Sequence, residues 1–236
     1  MFYTPSSFSP TMSRVVEKQM RNWEIARQQQ DGGSAPRAGS VMDFIAISRS
    51  VGLPGEEIAA QLHAKLGWPV FDREILQAMA GDDECRRQLY DAMDERDLGW
   101  MEEFLQSVTF GAAGKDDYFH RLRETVLSLA RKGHSIFLGR ATDMILPREM
   151  GLRVRFTASR DYCVKQFAKT KNIAEDQARR EVEDIEHERA RFIRHHFRVE
   201  AGEPSRHDLT INLEFMPVLQ AVDLVHSALR IKGIIR

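Results

Sequence analysis

From residue 44 onward, apolar residues fall in short runs that alternate with helical stripes. Phe44 to Ile47 is one apolar run. It stops at a loop holding Gly52, Pro54 and Gly55, after which Ile58, Ala59, Leu62 and Leu66 recur at helical spacing. The pattern predicts a strand, a tight loop and a helix. A second strand is expected over 68–71, followed by a helix with Asp72 as candidate N-cap. Residues 81–110 are charged, with Leu89, Met93, Leu98, Trp100, Phe104 and Leu105 interspersed, which predicts a helical insertion. GAAGK at 111–115 reads as a loop, and 118–132 as a helix with Phe119, Leu122, Val126, Leu127 and Leu129 turned inward. Strands are expected over 135–138, 152–156 and 208–212, with Ser159 and Asn172 as candidate caps of the helices between them. A closing helix over 215–230 has Val218, Leu219, Val222, Leu224, Val225 and Leu229 as core positions. Five short strands alternating with helices argue an α/β fold: a five-stranded, mainly parallel sheet with helices on both faces.

Upstream, 11–30 places Val15, Val16, Met20 and Trp23 near helical spacing, and DGGSAPRAGS at 31–40 has the composition of a flexible linker. We expect 1–40 to be a separate segment with an amphipathic helix, and 41–236 to be one domain. The helix's apolar stripe must bury against its own domain or a second copy, so a homodimer through this helix is expected.

Composition narrows the classes. The 236 residues are 42% hydrophobic and 29% charged, and no apolar run is long enough to span a bilayer. A formal net charge of −1 gives no overall field for nucleic acid, so any anion site must be built from local arginines. Cys85 and Cys163 lack metal-ligand spacing and read as buried reduced thiols. The N-terminus has no basic stretch before an apolar core, so we expect no secretory signal and a cytoplasmic protein. Trp23, Trp68 and Trp100 read as packing residues. His195 and His196 are adjacent on a predicted helix, point about 100° apart and do not share a metal ion.

The candidate chemistry lies at the strand ends. A strand, loop and helix aim backbone N–H groups and the helix dipole at one spot, which suits a phosphate. Against the pattern G-x-x-x-x-G-K-[ST], Gly52 keeps one glycine, Gly55 stands where the lysine would be, and Glu56 or Glu57 replaces the hydroxyl. The loop is therefore either a phosphate seat or a connecting turn. At the expected carboxyl edge of the sheet fall Ser48 and Arg49, Asp72 and Arg73, and Gly139 and Arg140, a candidate polyanion site.

AISRSVGLPGEEIAAQLHAKLGWPVFDREIL, SIFLGRATDMIL, DIEHERARFIRHHF and HDLTINLEF resemble, in order, the landmarks of cytidylate kinase-like proteins within the nucleoside monophosphate kinases, over about residues 42–232. The resemblance implies a P-loop fold, ATP with Mg²⁺ bound through the nucleotide, and a cytidine-type monophosphate such as CMP as acceptor. It also implies a helical acceptor-side insertion over about 72–132 and an arginine-bearing lid over about 171–206. Carried over by position, Ser48, Arg49, Ser50, Gly52 and Gly55 would form the phosphate-binding loop. Asp72 and Arg73 would lie at the acceptor, Arg140 would contact it, and Arg189, Arg191 and Arg194 would be the lid arginines. Arg49, Lys65 or a lid arginine would have to replace the loop lysine, and Ser48 or Ser50 the missing hydroxyl. Two functions follow: a nucleotide kinase, or a non-catalytic protein that binds a nucleotide or phosphometabolite on the same fold.

Overall fold

The structure, a computed structural model, describes residues 41–91, 93, 95–107 and 117–236, together with Arg21. Apart from Arg21, the expected helix over 11–30 and its linker lie outside the described residues, as does GAAGK.

The elements follow one another as β1 (Phe44–Arg49), α1 (Gly55–Leu66), β2 (Val70–Phe71), α2 (Arg73–Gly81), α3 (Asp83–Asp91), α4 (Glu95–Ser107) and α5 (Asp117–Lys132). After these come β3 (Ser135–Leu138), α6 (Thr142–Ile145), β4 (Leu152–Thr157), α7 (Arg160–Lys171), α8 (Glu175–Phe197), β5 (Leu209–Asn212) and α9 (Val218–Ile231). The five strands form one parallel sheet in the order β2-β3-β1-β4-β5. β1 is its central strand, with Phe44 opposite Ser135 and Arg49 opposite Phe156.

Strand alternation divides the core. Phe44, Ala46, Phe71 and Phe137 pack with Leu76 and Met79 of α2, Leu89 of α3 and Leu122 and Val126 of α5. Ile45, Ile47, Ile136, Leu138, Val154 and Phe156 face the other way, onto Ile58 and Leu62 of α1 and Val222 and Val225 of α9. Side chains of this size, fully buried, contribute roughly 1.5–3 kcal/mol each, so both helical layers are firmly seated.

One charged residue sits inside. Arg153 of β4 is 1% exposed, beneath the Phe44 ring. Its guanidinium donates to the carbonyls of Asp143 (2.9 Å), Leu146 (2.9 Å), Pro147 (2.6 Å), Arg148 (3.3 Å) and Met150 (3.0 Å). Burying an unpaired cation is costly, but here the N–H groups are satisfied. Arg153 thereby fixes the segment after α6 against the sheet.

Two expectations are corrected. Asn172 does not start α8; it ends α7 in the left-handed conformation (φ 54°), and Ala174 occupies the N-cap. Asparagine tolerates that conformation and serves helix ends as readily as starts. Leu219 and Leu224 are 63% and 38% exposed, because α9 begins only after Pro217 and turns Ala221, Val222, Val225 and Leu229 to the sheet.

Candidate functional site

β1 leads directly into the loop. Ser50 N–H donates to Phe156 O of β4 (3.1 Å), and Gly52 turns the chain at φ 90°. A Cβ on Gly52 would collide with the Cys163 carbonyl of α7, so this position takes glycine for two reasons, conformation and close approach. Gly55 differs. It has no left-handed φ, and a Cβ there would strike the Arg49 side chain, with its Cζ 2.9 Å away. Arg49 lies across Gly55, and its Nη1 reaches to 3.9 Å from where a Cβ on Gly139 would stand. Its side chain is 17% exposed, and its guanidinium pairs with Glu56 at 2.5 Å.

Helix α8 packs onto the same turn. Arg189 of α8 donates from Nη1 to Arg49 O (3.0 Å), and Glu186, one turn earlier, accepts from Val51 N–H (2.8 Å). Burial lowers the Arg189 pKa; Glu186 opposes the shift, while Arg49, Arg73 and Arg155 deepen it. Those four arginines share one electrostatic neighbourhood. Arg155 of β4 stands in register with Ser48 of β1.

At the end of β3, Gly139, Arg140 and Ala141 are successively left-handed, with φ of 80°, 53° and 51°. Left-handed backbone is costly for residues with a Cβ and gathers at functional sites. This turn aims Arg140 at α2 and α5. Its Nη2 donates to Gln77, its guanidinium lies 5.9 Å from the Tyr118 ring centroid, and its Nε is buried without a partner among the described residues. Burial pushes its pKa down, Tyr118 and Glu188 oppose that, and Arg73 adds to it.

Asp72 is the expected cap: its Oδ1 accepts from Glu74 and Ile75 N–H, both at 2.9 Å. Arg73 begins α2. Arg73 and Arg155 form no ion pair among the described residues. Ser48 Oγ lies 2.9 Å from His207 Nε2, so its hydroxyl is engaged inside the protein. Asp143 stands 3.8 Å from the same nitrogen and holds Arg206 at 2.8 Å.

The structure thus brings together Ser48, Arg49, Ser50, Gly52, Gly55, Arg73, Arg140 and Arg189. It does not bring Arg191 or Arg194 to them through any contact among the described residues. Arg191 is exposed, and Arg194, 61% exposed, holds Glu200 at 2.9 Å. Lys65 pairs with Asp223 of α9, at the far end of α1 from the loop. No group of three His, Cys, Asp or Glu that could hold a metal occurs among the described residues. Cys163 lies behind the loop with its thiol pushed up to about 11 by burial and by Glu186, which keeps it protonated and a poor nucleophile at neutral pH.

Sequence reasoning passed over Arg155, Glu186 and His207 as site residues. A signal existed for Arg155, since LRVRFT alternates and places it two residues beyond Arg153, nearer the carboxyl edge. Glu186 could have been paired with Arg189 as i and i+3 on one helix face. His207 heads the HDLTINLEF segment, but nothing local pairs it with Ser48; only the fold brings the two together.

Residues 44–214 match the profile of the cytidylate kinase-like family, and the chain belongs to that family. No curated protein matches it. Among solved structures, an uncharacterized protein from Eubacterium ventriosum ATCC 27560 superposes with a TM-score of 0.56 at 16% identity, over 80% of this chain and 98% of that one. Shikimate kinase from Bacteroides thetaiotaomicron gives a TM-score of 0.46 at 12% identity, over 80% and 99% of the two chains. A gluconokinase from Sinorhizobium meliloti 1021 gives 0.42 at 12%, over 81% and 93%. The first of these likenesses speaks to fold alone.

Proposed function

We propose that this member of the cytidylate kinase-like family transfers a phosphoryl group from ATP to a cytidine-type nucleoside monophosphate. The observation that carries the reading is the set of arginines at the carboxyl edge of the sheet. Arg49, Arg73, Arg140, Arg155 and Arg189 stand beside the strand, loop and helix, and Arg73 and Arg155 have no carboxylate partner among the described residues. In phosphoryl transfer charge spreads over the moving phosphoryl oxygens, and catalysis is mainly positioning and neutralisation. Arg49 is assigned the place of the loop lysine, because it already lies over Gly55. Arg189 neutralises charge from the lid, and Arg73 and Arg140 receive the acceptor's phosphate. The backbone of Ser50 and Gly52 shapes the turn.

The arginine edge fits a polyphosphate. Of the side chains there that could reach Mg²⁺, the Ser48 hydroxyl is held by His207, and Glu56 by Arg49. The ion would come on the nucleotide, where it screens phosphate charge. Among the described residues no helix is long and apolar enough to cross a membrane. Residues 11–30 are assigned to association with a second copy, and the cytoplasm is the proposed setting.

A second reading, a non-catalytic nucleotide- or phosphometabolite-binding protein, is favoured by the carboxylate of Glu186 on a loop amide. One assay separates the two: incubation with ATP, Mg²⁺ and each nucleoside monophosphate, read as diphosphate formed above an Arg140→Ala control. Turnover with CMP or a related acceptor supports the kinase. Nucleotide binding without diphosphate supports the second reading.

A further inference from the structure

The Val51 amide, part of the turn to which a phosphate is assigned, is already occupied. Its N–H donates to Glu186 Oε1 at 2.8 Å, across 135 positions of sequence. One turn along α8, Arg189 donates to Arg49 O at 3.0 Å, so the helix is fastened to the loop on both sides of Ser50. A cavity of about 260 Å³ opens beside this latch, lined by Ser50, Val51, Ala158, Arg160, Glu183 and Glu186 among others. It leaves the carboxylate room to withdraw.

We infer that Glu186 is an internal anion which a ligand's phosphoryl group must displace, and that this exchange makes the loop select phosphoryl groups of two or more negative charges over monoanions. The inference rests on the reading of this loop as a phosphate seat. A monoanion replacing the carboxylate trades one charge for one and gains nothing from Arg189, which already feels Glu186. A polyanionic phosphoryl group adds charge toward Arg49, Arg73, Arg155 and Arg189, the first three of which repel the Arg189 cation. Glu186 is thus a specificity-determining residue. By linkage, the factor by which it weakens a ligand is the factor by which that ligand loosens α8 from the loop.

The test titrates pyrophosphate, and separately acetate, into the full chain and into Glu186→Gln and Glu186→Ala by calorimetry. Glu186→Gln keeps an acceptor oxygen for Val51 while losing the charge; a melting curve checks that each variant folds. Both variants are expected to bind pyrophosphate roughly tenfold tighter than the parent, and acetate should bind only where the carboxylate has been removed, in Glu186→Ala. In the parent, pyrophosphate should speed amide hydrogen exchange over 182–190 while Val51, taken over by the phosphoryl group, stays protected. Equal or weaker pyrophosphate binding by both variants, with the parent binding, overturns the inference and leaves the proposed function standing. Absence of pyrophosphate binding by all three proteins overturns both.

Discussion

The side chain of Arg49 crosses the face of Gly55, so that the space a lysine would fill after a phosphate loop is filled from the preceding strand instead. The absent side chain at 55 is what admits the arginine. A methyl group at that position would push aside the flexible end of Arg49, not backbone. Gly55→Ala should therefore keep or slightly raise stability, by up to about 1 kcal/mol, since alanine orders the unfolded chain more than glycine does. It should weaken pyrophosphate binding, and combining it with Arg49→Ala should weaken it no further. Additive losses in calorimetry would separate the two residues. For the same reason Gly55→Lys with Glu57→Thr would set two cations competing for one place.

Gly52 answers differently. A side chain there meets the backbone carbonyl of Cys163 and must adopt φ 90°. Gly52→Ala should cost about 2 kcal/mol or more, read as a lower urea midpoint with an unchanged slope. A midpoint equal to that of the parent would mean that α7 yields easily to the loop.

Arg140 combines an awkward backbone with a useful charge. Glycine at 140 relieves the left-handed strain (φ 53°) while removing the guanidinium. Arg140→Gly is expected to melt within a few degrees of the parent and to bind phosphate ligands roughly tenfold or more weakly, the loss of a charge-assisted contact worth about 1.5–3 kcal/mol. A steep fall in melting temperature with unchanged affinity would assign Arg140 to Gln77 and Tyr118 alone.

Much of this was readable from residue order. The apolar runs at Phe44 to Ile47 and Ser135 to Leu138 gave the central strands because fully buried parallel strands are apolar on both faces. The glycine-bearing loop and the residues ending each strand pointed to the carboxyl edge, where Arg49, Arg73 and Arg140 do stand. Contacts between distant segments were not readable. Arg49 over Gly55 depends on side-chain direction, Glu186 on Val51 depends on the docking of α8, and His207 on Ser48 depends on β5 lying beyond β4. The helix start at Ala174 was missed because Asn172 has the residue type of either helix end.

His207 couples this edge to pH. Its side chain is 2% exposed, and burial lowers its pKa from the usual 6.5; Asp143 of α6 opposes the shift, while Arg155 of β4 and neighbouring Arg206 deepen it. A depressed folded pKa means that the unfolded chain takes up the proton first. Stability is then full above about 6.5 and falls as pH drops toward the folded value, below which it levels off. Melting curves from pH 8 to 5 should show this loss in the parent, and His207→Gln should flatten it. An unchanged acid limb in the variant would place the titration elsewhere.

β1, which feeds the loop, is the middle strand of the sheet yet the first to leave the ribosome. Both of its hydrogen-bonding edges stay open until Ser135 and Leu152 have been made, with α1 to α5 emerging in between. An apolar strand with open edges invites pairing with other chains. The carbonyl of Phe156 that receives Ser50, the α7 backbone that backs Gly52 and the carboxylate that caps Val51 all arrive later still. A nascent chain halted before β4 therefore carries every loop residue without the loop's shape, and its central strand needs shielding throughout that interval.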